Sequence, residues 1–305
     1  MDAQMIPEAW IRAHVEPTGP IEVVHDRPWA TVLRVPTASG PVWFKACAPH
    51  IAFEPRLTAQ LSRRWPDHVT RVLAYDEARA WLLLADAGVS IGRSDASRAQ
   101  LLAILPAYAE LQRGEAAFAQ DHVDHGVTDL RLAELPRRYG DLVVQRELPI
   151  DANELSRLRG FADQLGELCR ELADAGIPET VQHDDLHHNN IHVRDSRWHL
   201  LDWGDASIAH PFMSLVVPYK FLDRDGLPPS DPWFARMRDA YLEPWGRGLA
   251  DTFELAIRIG WFAHAIGWDR QRRTLPADWR ARIDDDFATI LRCAVAIATR
   301  SRTRT

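Results

Sequence analysis

Two neighbouring stretches decide how this chain is read: Val181-Gln-His-Asp-Asp-Leu-His-His-Asn-Asn-Ile-His-Val193 and Leu200-Leu-Asp-Trp-Gly-Asp205. Ile191–Val193 and His199–Trp203 have the β-branched and aromatic content of short strands, and Arg194-Asp-Ser-Arg-Trp198 reads as the turn between them. Asn190 and Asp202 stand at equal distances on either side of Ser196. A symmetric hairpin would set them opposite one another with Cα atoms about 4.5–5.5 Å apart. An amide oxygen and a carboxylate converging in this way suit Mg²⁺, which prefers hard oxygen ligands and takes others from a nucleotide's phosphates. Asp185 lies on the loop feeding the hairpin, where it could orient a hydroxyl and accept its proton. A positioned base beside metal-held phosphates is the division of labour in phosphoryl transfer.

Working outward, composition removes several alternatives. The 305 residues are 46% hydrophobic and 26% charged, as in a globular chain able to bury a core. The 36 basic residues comprise 34 Arg and only two Lys, Lys45 and Lys220. Neither lysine follows a glycine, so no Walker-type G-K-[ST] phosphate loop exists. A net charge of −7 and a pI near 6.0 argue against a general nucleic-acid binder. Cys47, Cys169 and Cys293 are odd in number and widely spaced, which fits a reducing cytoplasm better than a disulfide framework. The first residues lack a signal-peptide pattern and no long apolar run suggests a membrane span, so a cytoplasmic location is expected.

Organisation follows from periodicity. Ile21–Val24, Ala30–Pro36, Val42–Ala46, Val69–Ala74 and Ala80–Leu84 read as strands, with one inserted helix over Pro49–Trp65 carrying Leu57, Leu61 and Trp65 on one face. Beyond the Ser94-Asp95 helix-start signal, helices are predicted over Ala99–Arg113, Ala152–Ala175, Phe234–Glu243, Thr252–Ile266 and Ala281–Thr299. The change from sheet to helix sets a boundary between residues 1–87 and 88–305.

With these features in place, His183-x-Asp185-x-x-x-x-Asn190 followed by Asp202 resembles the catalytic loop and metal-binding segment of the aminoglycoside phosphotransferase family, relatives of the protein kinases. The resemblance implies an α+β, two-lobed protein-kinase-like fold, with a small β-rich N-lobe bearing one helix and a larger, mostly α-helical C-lobe. It implies Asp185 as catalytic base, His183 as support for the loop, and Asn190 and Asp202 as metal ligands. Val42-Trp-Phe-Lys45 is similar to the family's third strand with its phosphate lysine, Glu54 to the helix glutamate that pairs with it, and Trp81–Gly88 to the hinge that meets the nucleotide base, through Leu84, Ala85 and Asp86. In the family the helical half supplies the acceptor site, which makes Trp261, His264, Trp268 and Asp269 implied substrate contacts. The implied cofactors are ATP or GTP with Mg²⁺. The implied acceptor is a hydroxyl of an antibiotic such as an aminoglycoside or of a metabolite alcohol or sugar, and the implied assembly is a monomer or homodimer.

The chain departs from the family pattern at several positions. Asp184 stands where glycine usually follows the histidine, Ser214 stands where many relatives carry a structural aspartate, and no G-x-G-x-x-G joins the first strands. Three other readings compete. His183, His187, His188 and His192 invite a zinc site, although Asn189-Asn190 argues against the continuous helix that H-x-x-x-H spacing needs. Gly88-Val-Ser-Ile-Gly92 matches G-x-S-x-G, but a nucleophile elbow requires strand, serine and helix in immediate succession. A nucleotide-binding regulatory module without transfer is the last.

Overall fold

The computed structural model describes residues 7–92, 95–145, 147–224, 226–228 and 230–301; Ser94 of the helix-start signal and Arg302–Thr305 lie outside these residues. Strands β1 (Glu22–Arg27), β2 (Ala30–Thr37), β3 (Gly40–Cys47), β4 (Val72–Asp76) and β5 (Trp81–Ala85) form an antiparallel sheet in the order β1-β2-β3-β5-β4. Helix α1 (Glu8–His14) precedes β1, and α2 (Glu54–Arg64) lies between β3 and β4. Strand period 2 sorts β3 into two faces. Val42 and Phe44 join Ile11, Leu33, Val35 and Leu83 in the core. Trp10, Phe44 and Trp81 meet there edge to face, with ring centroids 5.7–5.8 Å apart. Lys45 therefore points from the opposite face.

After β6 (Val89–Ser90) come α3 (Asp95–Glu115), α4 (Ala119–Asp124), β7 (Thr128–Asp129), α5 (Leu135–Val143), α6 (Ala152–Arg159), α7 (Ala162–Ala173) and β8 (Thr180–Gln182). The chain continues through β9 (Ile191–Arg194), β10 (Arg197–Leu200), β11 (Ser207–Ala209), α8 (Val216–Arg224), α9 (Pro232–Leu242), α10 (Ala250–Thr274) and α11 (Ala277–Ser301). It divides into two compact units, residues 1–93 with 188–204 and residues 94–187 with 205–305. The β9–β10 hairpin belongs to the first unit, not to the segment after residue 87, because β9 pairs with β6 and Leu200 bridges Val69. Gly88 makes that pairing possible: its φ is +86°, and a Cβ there would stand 2.1 Å from the Val193 carbonyl oxygen.

In the second unit β11 pairs in parallel with β7 and antiparallel with β8. Tyr139 and Phe161 pack on Phe262 of α10 at centroid distances of 5.3 and 5.1 Å. The helix expected over Ala152–Ala175 is two helices broken at Gly160. Asp151 and Glu154 close a reciprocal capping box at the start of α6, with the Asp151 carboxylate accepting from the Asn153 and Glu154 amides at 2.8 Å. The helix expected from Pro49 is a 3₁₀ turn, Pro49–Ile51, followed by α2, whose first turn holds Pro55 where its missing N–H costs nothing. Among the described residues no helix is long and apolar enough to cross a membrane.

Candidate active site

In the first unit, Lys45 Nζ donates to Glu54 Oε1 and to Asp202 Oδ1, both at 2.7 Å. Strand β3 supplies the lysine, the first turn of α2 the glutamate, and the segment leaving β10 the aspartate. The Lys45 and Glu54 side chains are almost wholly buried, whereas that of Asp202 is 48% exposed. Burial opposes the Lys45 charge, but Asp202 and Glu54 outweigh it and hold the ammonium well above its ordinary range. Burial pushes the Glu54 carboxyl up, with Lys45 acting against it. Cys47 Sγ donates to Glu54 Oε2 at 3.3 Å, and burial followed by the Glu54 charge raises the thiol.

The hairpin register differs by one residue from the symmetric expectation. Arg197 pairs with Arg194 and Leu200 with Ile191, so Asn190 faces Leu201, whose amide donates to the Asn190 carbonyl at 3.0 Å. The cause is a two-residue turn: Asp195 and Ser196 both have positive φ, +50° and +62°, the conformation that matches the twist of a tight hairpin. Asp202 reaches Lys45 by another route. Its own φ is +64°, which breaks the alternation of β10 and turns the carboxylate toward β3. Asn190 is buried at the end of the short turn His188–Asn190.

The three residues expected at the hinge serve partly internal roles. Leu84 lies in β5 opposite Trp43, and the Ala85 amide donates to the Arg71 carbonyl at 2.9 Å. Asp86 accepts from Trp43 Nε1 at 3.0 Å, and its carbonyl accepts from Arg194 at 2.8 Å. Ser90 of the G-x-S-x-G match donates to the His188 carbonyl at 2.9 Å, and β6 enters a sheet with β9 instead of turning into a helix.

In the second unit, His183 is fully buried and its amide donates to Tyr108 Oη at 3.1 Å. Tyr108 belongs to a buried network in which Ser214 bonds Tyr108, Gln112 and Gln182, and Tyr241 donates to Gln112. Ser214 thus serves neutral partners where an aspartate would bring a charge. Asp184 has φ +58°, and its carboxylate accepts from the Ser207 hydroxyl. Burial raises its pKa to about 6, with the Ser207 hydrogen bond and Arg270 pulling the other way and Asp185 adding to the rise. Asp185 is 34% exposed at its side chain, and His187 Nε2 lies 3.2 Å from its Oδ2.

Trp261, His264 and Trp268 share one face of α10, with His264 ring centroids 6.4 and 6.1 Å from the two indoles. Asp269 does not join them. It is buried, accepts from Gln145 Nε2 at 3.0 Å and pairs with Arg273 at 2.6 Å, an anchoring role set by its place around the helix. Sequence reasoning weighed His187 only as a zinc ligand and missed its place beside Asp185, and it missed Ser207, Arg270 and the setting of Lys220. Lys220 is buried, with Nζ 4.2 Å from the Trp268 ring centroid, and its rarity in an arginine-rich chain was the available signal.

A buried strand lysine pinned by a helix glutamate and by an aspartate after a hairpin, within a five-stranded antiparallel sheet, defines a protein-kinase-like fold. Residues 23–254 match the profile of the phosphotransferase enzyme family, and the chain belongs to that family of small-molecule kinases with alcohol acceptors. Solved structures agree on the fold. An ethanolamine kinase of Plasmodium vivax matches at TM-score 0.67 and 11% identity, covering 95% of this chain and 85% of that one. Amicoumacin kinase hAmiN, in complex with AMP-PNP, Ca²⁺ and Ami, matches at TM-score 0.59 and 15% identity, covering 95% of this chain and 94% of that one. Aminoglycoside 2′-phosphotransferase-IIIa, as its GDP complex, matches at 0.59 and 13% identity over 96% of each chain. No curated protein matches significantly.

Proposed function

We propose that this protein is an ATP- and Mg²⁺-dependent O-phosphotransferase that moves the γ-phosphoryl group to a hydroxyl of a small molecule, an antibiotic or a metabolite alcohol or sugar. The observation that carries the reading is Lys45 held at 2.7 Å between Glu54 and Asp202. A compact ammonium fixed in this way offers its charge to phosphate oxygens without having to be ordered on binding. Leu84, Ala85 and Asp86 border the base, and Lys45 steadies the α and β phosphates. Asn190 and Asp202 hold the metal. Their hard oxygens fit Mg²⁺, a metal that takes its other ligands from phosphate and water. Bound Mg-nucleotide supplies the transferable phosphoryl group with its charge neutralised. Asp185 orients the acceptor hydroxyl and takes its proton, while His183 supports the loop. The adenine-nucleotide analogue and Ca²⁺ in the amicoumacin kinase structure support ATP; the GDP complex keeps GTP as the comparison to run. The protein acts in the cytoplasm as a monomer or homodimer.

The test is nucleotide consumption with Mg²⁺ over a panel of hydroxyl-bearing antibiotics and metabolites. Asp185→Asn is expected to keep nucleotide binding and lose roughly 10²–10⁴-fold in turnover, and Asp202→Ala to lose metal-dependent nucleotide binding. Near-normal turnover of Asp185→Asn removes the base assignment. Nucleotide binding without consumption across the panel leaves a regulatory module in place of an enzyme.

A further inference from the structure

The chain's second lysine is unexplained by nucleotide binding. Lys220, on α8, is only 8% exposed, and its ammonium lies over the face of Trp268 at 4.2 Å. Trp268 adjoins His264, which adjoins Trp261, all on one face of α10. His264 Nε2 is buried without a hydrogen-bond partner among the described residues. Burial first, then the nearby Lys220 charge, lowers the imidazole pKa to about 3, while Asp185 acts in the opposite sense. His264 thus feels both Lys220 and Asp185, and the imidazole is neutral.

We propose that Lys220, with Trp268 and His264, selects an acceptor that carries a carboxylate or similar anionic oxygen near its reactive hydroxyl, and disfavours a cationic one. The inference rests on the phosphotransfer reading and deepens it. An indole face is the group that attracts an ammonium ligand, and here the chain's own ammonium covers it. A choline-like or polyamine acceptor would meet a like charge and an occupied ring. An anionic oxygen would instead receive a charge-assisted hydrogen bond from Lys220, and His264 Nε2 offers a polar atom without a hydrogen-bond partner among the described residues. Arginine dominates the chain 34 to two, so a lysine in this aromatic setting marks a need for a compact ammonium.

The experiment uses three probes of one length: 3-hydroxypropionate, 1,3-propanediol and 3-amino-1-propanol. Binding to the full chain is followed by tryptophan fluorescence, and turnover by nucleotide consumption with Mg²⁺. The expected order is carboxylate, then diol, then amine, with the carboxylate favoured roughly tenfold or more over the diol. Lys220→Met should collapse that preference through acceptor KM, and Lys220→Arg should keep part of it. Any other order in the wild type overturns the proposal, as does failure of all three to bind. An equal fall in turnover for every probe in Lys220→Met, with the order unchanged, also overturns it, because the charge would then serve the phosphoryl group. If Lys220→Met does not fold, the wild-type order decides. Mg-nucleotide binding is measured separately: its absence removes the phosphotransfer reading, whereas its presence without a carboxylate preference removes only this inference.

Discussion

Asp184 shows how one unusual residue changes the chemistry of a loop. A left-handed backbone favours glycine, yet here it carries a carboxylate held by Ser207 and raised to about 6. Because the fold favours the protonated form, the stabilising contribution is complete below the ordinary value of 3.8 and is lost as pH rises through about 6. Asp184→Asn should therefore gain on the wild type as pH rises from about 4.5 to 7.5, by at most about 3 kcal/mol, read as a pH-dependent difference in Tm. A flat difference would mean that Asp184 does not titrate abnormally. His264 and His210 have the opposite sign: burial lowers both to about 3, so their contribution is complete above 6.5 and is lost on acidification. Lys45 permits a second test at this scale. Arginine keeps the charge but brings a wide planar fork to a site where both carboxylates meet one nitrogen at 2.7 Å, so Lys45→Arg should weaken nucleotide affinity and lower turnover. Full activity would reduce the lysine to an accident of composition.

Among the elements, the buried network that holds the His183 backbone through Tyr108 is the most exposed to damage. Ser214→Ala removes a hydroxyl shared by Tyr108, Gln112 and Gln182 and takes one buried hydrogen bond from each, while Gln112 keeps the Val181 carbonyl and Gln182 the Ala209 carbonyl. The expected loss is about 1–3 kcal/mol, seen as a lower urea midpoint with an unchanged slope. Little of this network was legible in the sequence, since Tyr108 and Ser214 are 106 positions apart and no local pattern joins them. Strands β7, β8 and β11 have two or three residues each, too few for a period-2 signal. The strands of the first sheet were legible because their alternation is long and bounded by turns. The Lys45–Glu54 pair was legible because the Val42-Trp-Phe-Lys45 strand and the helix that opens at Glu54 follow one another within nine positions. The hairpin register was not, because symmetry about Ser196 concealed a two-residue turn whose positive φ values only the fold reveals. Asp269 stands apart from the aromatic face for a related reason: its neighbour Trp268 faces Lys220, and one step along a helix rotates a side chain by about 100°.

For the whole molecule, charge is unevenly divided by type more than by sign. The excess of 43 acidic over 36 basic residues makes the chain net negative by seven charges. Arginine supplies the surface ion pairs, such as Arg137 with Asp141 and Arg197 with Asp67. Lysine is confined to two buried positions, one in each compact unit. That distribution turns the protein into its own stability gauge. A lysine-specific endoprotease has only two bonds to cut, after Lys45 and after Lys220, giving fragments 1–45, 46–220 and 221–305. Neither bond is available until its surroundings open, so when reclosing outpaces cleavage each rate reports the opening free energy of one unit. Added Mg-nucleotide should slow the first cut by the factor its affinity dictates, and an acceptor that engages Lys220 should slow the second. The order in which the fragments emerge from a native digest would show which half of the chain yields first.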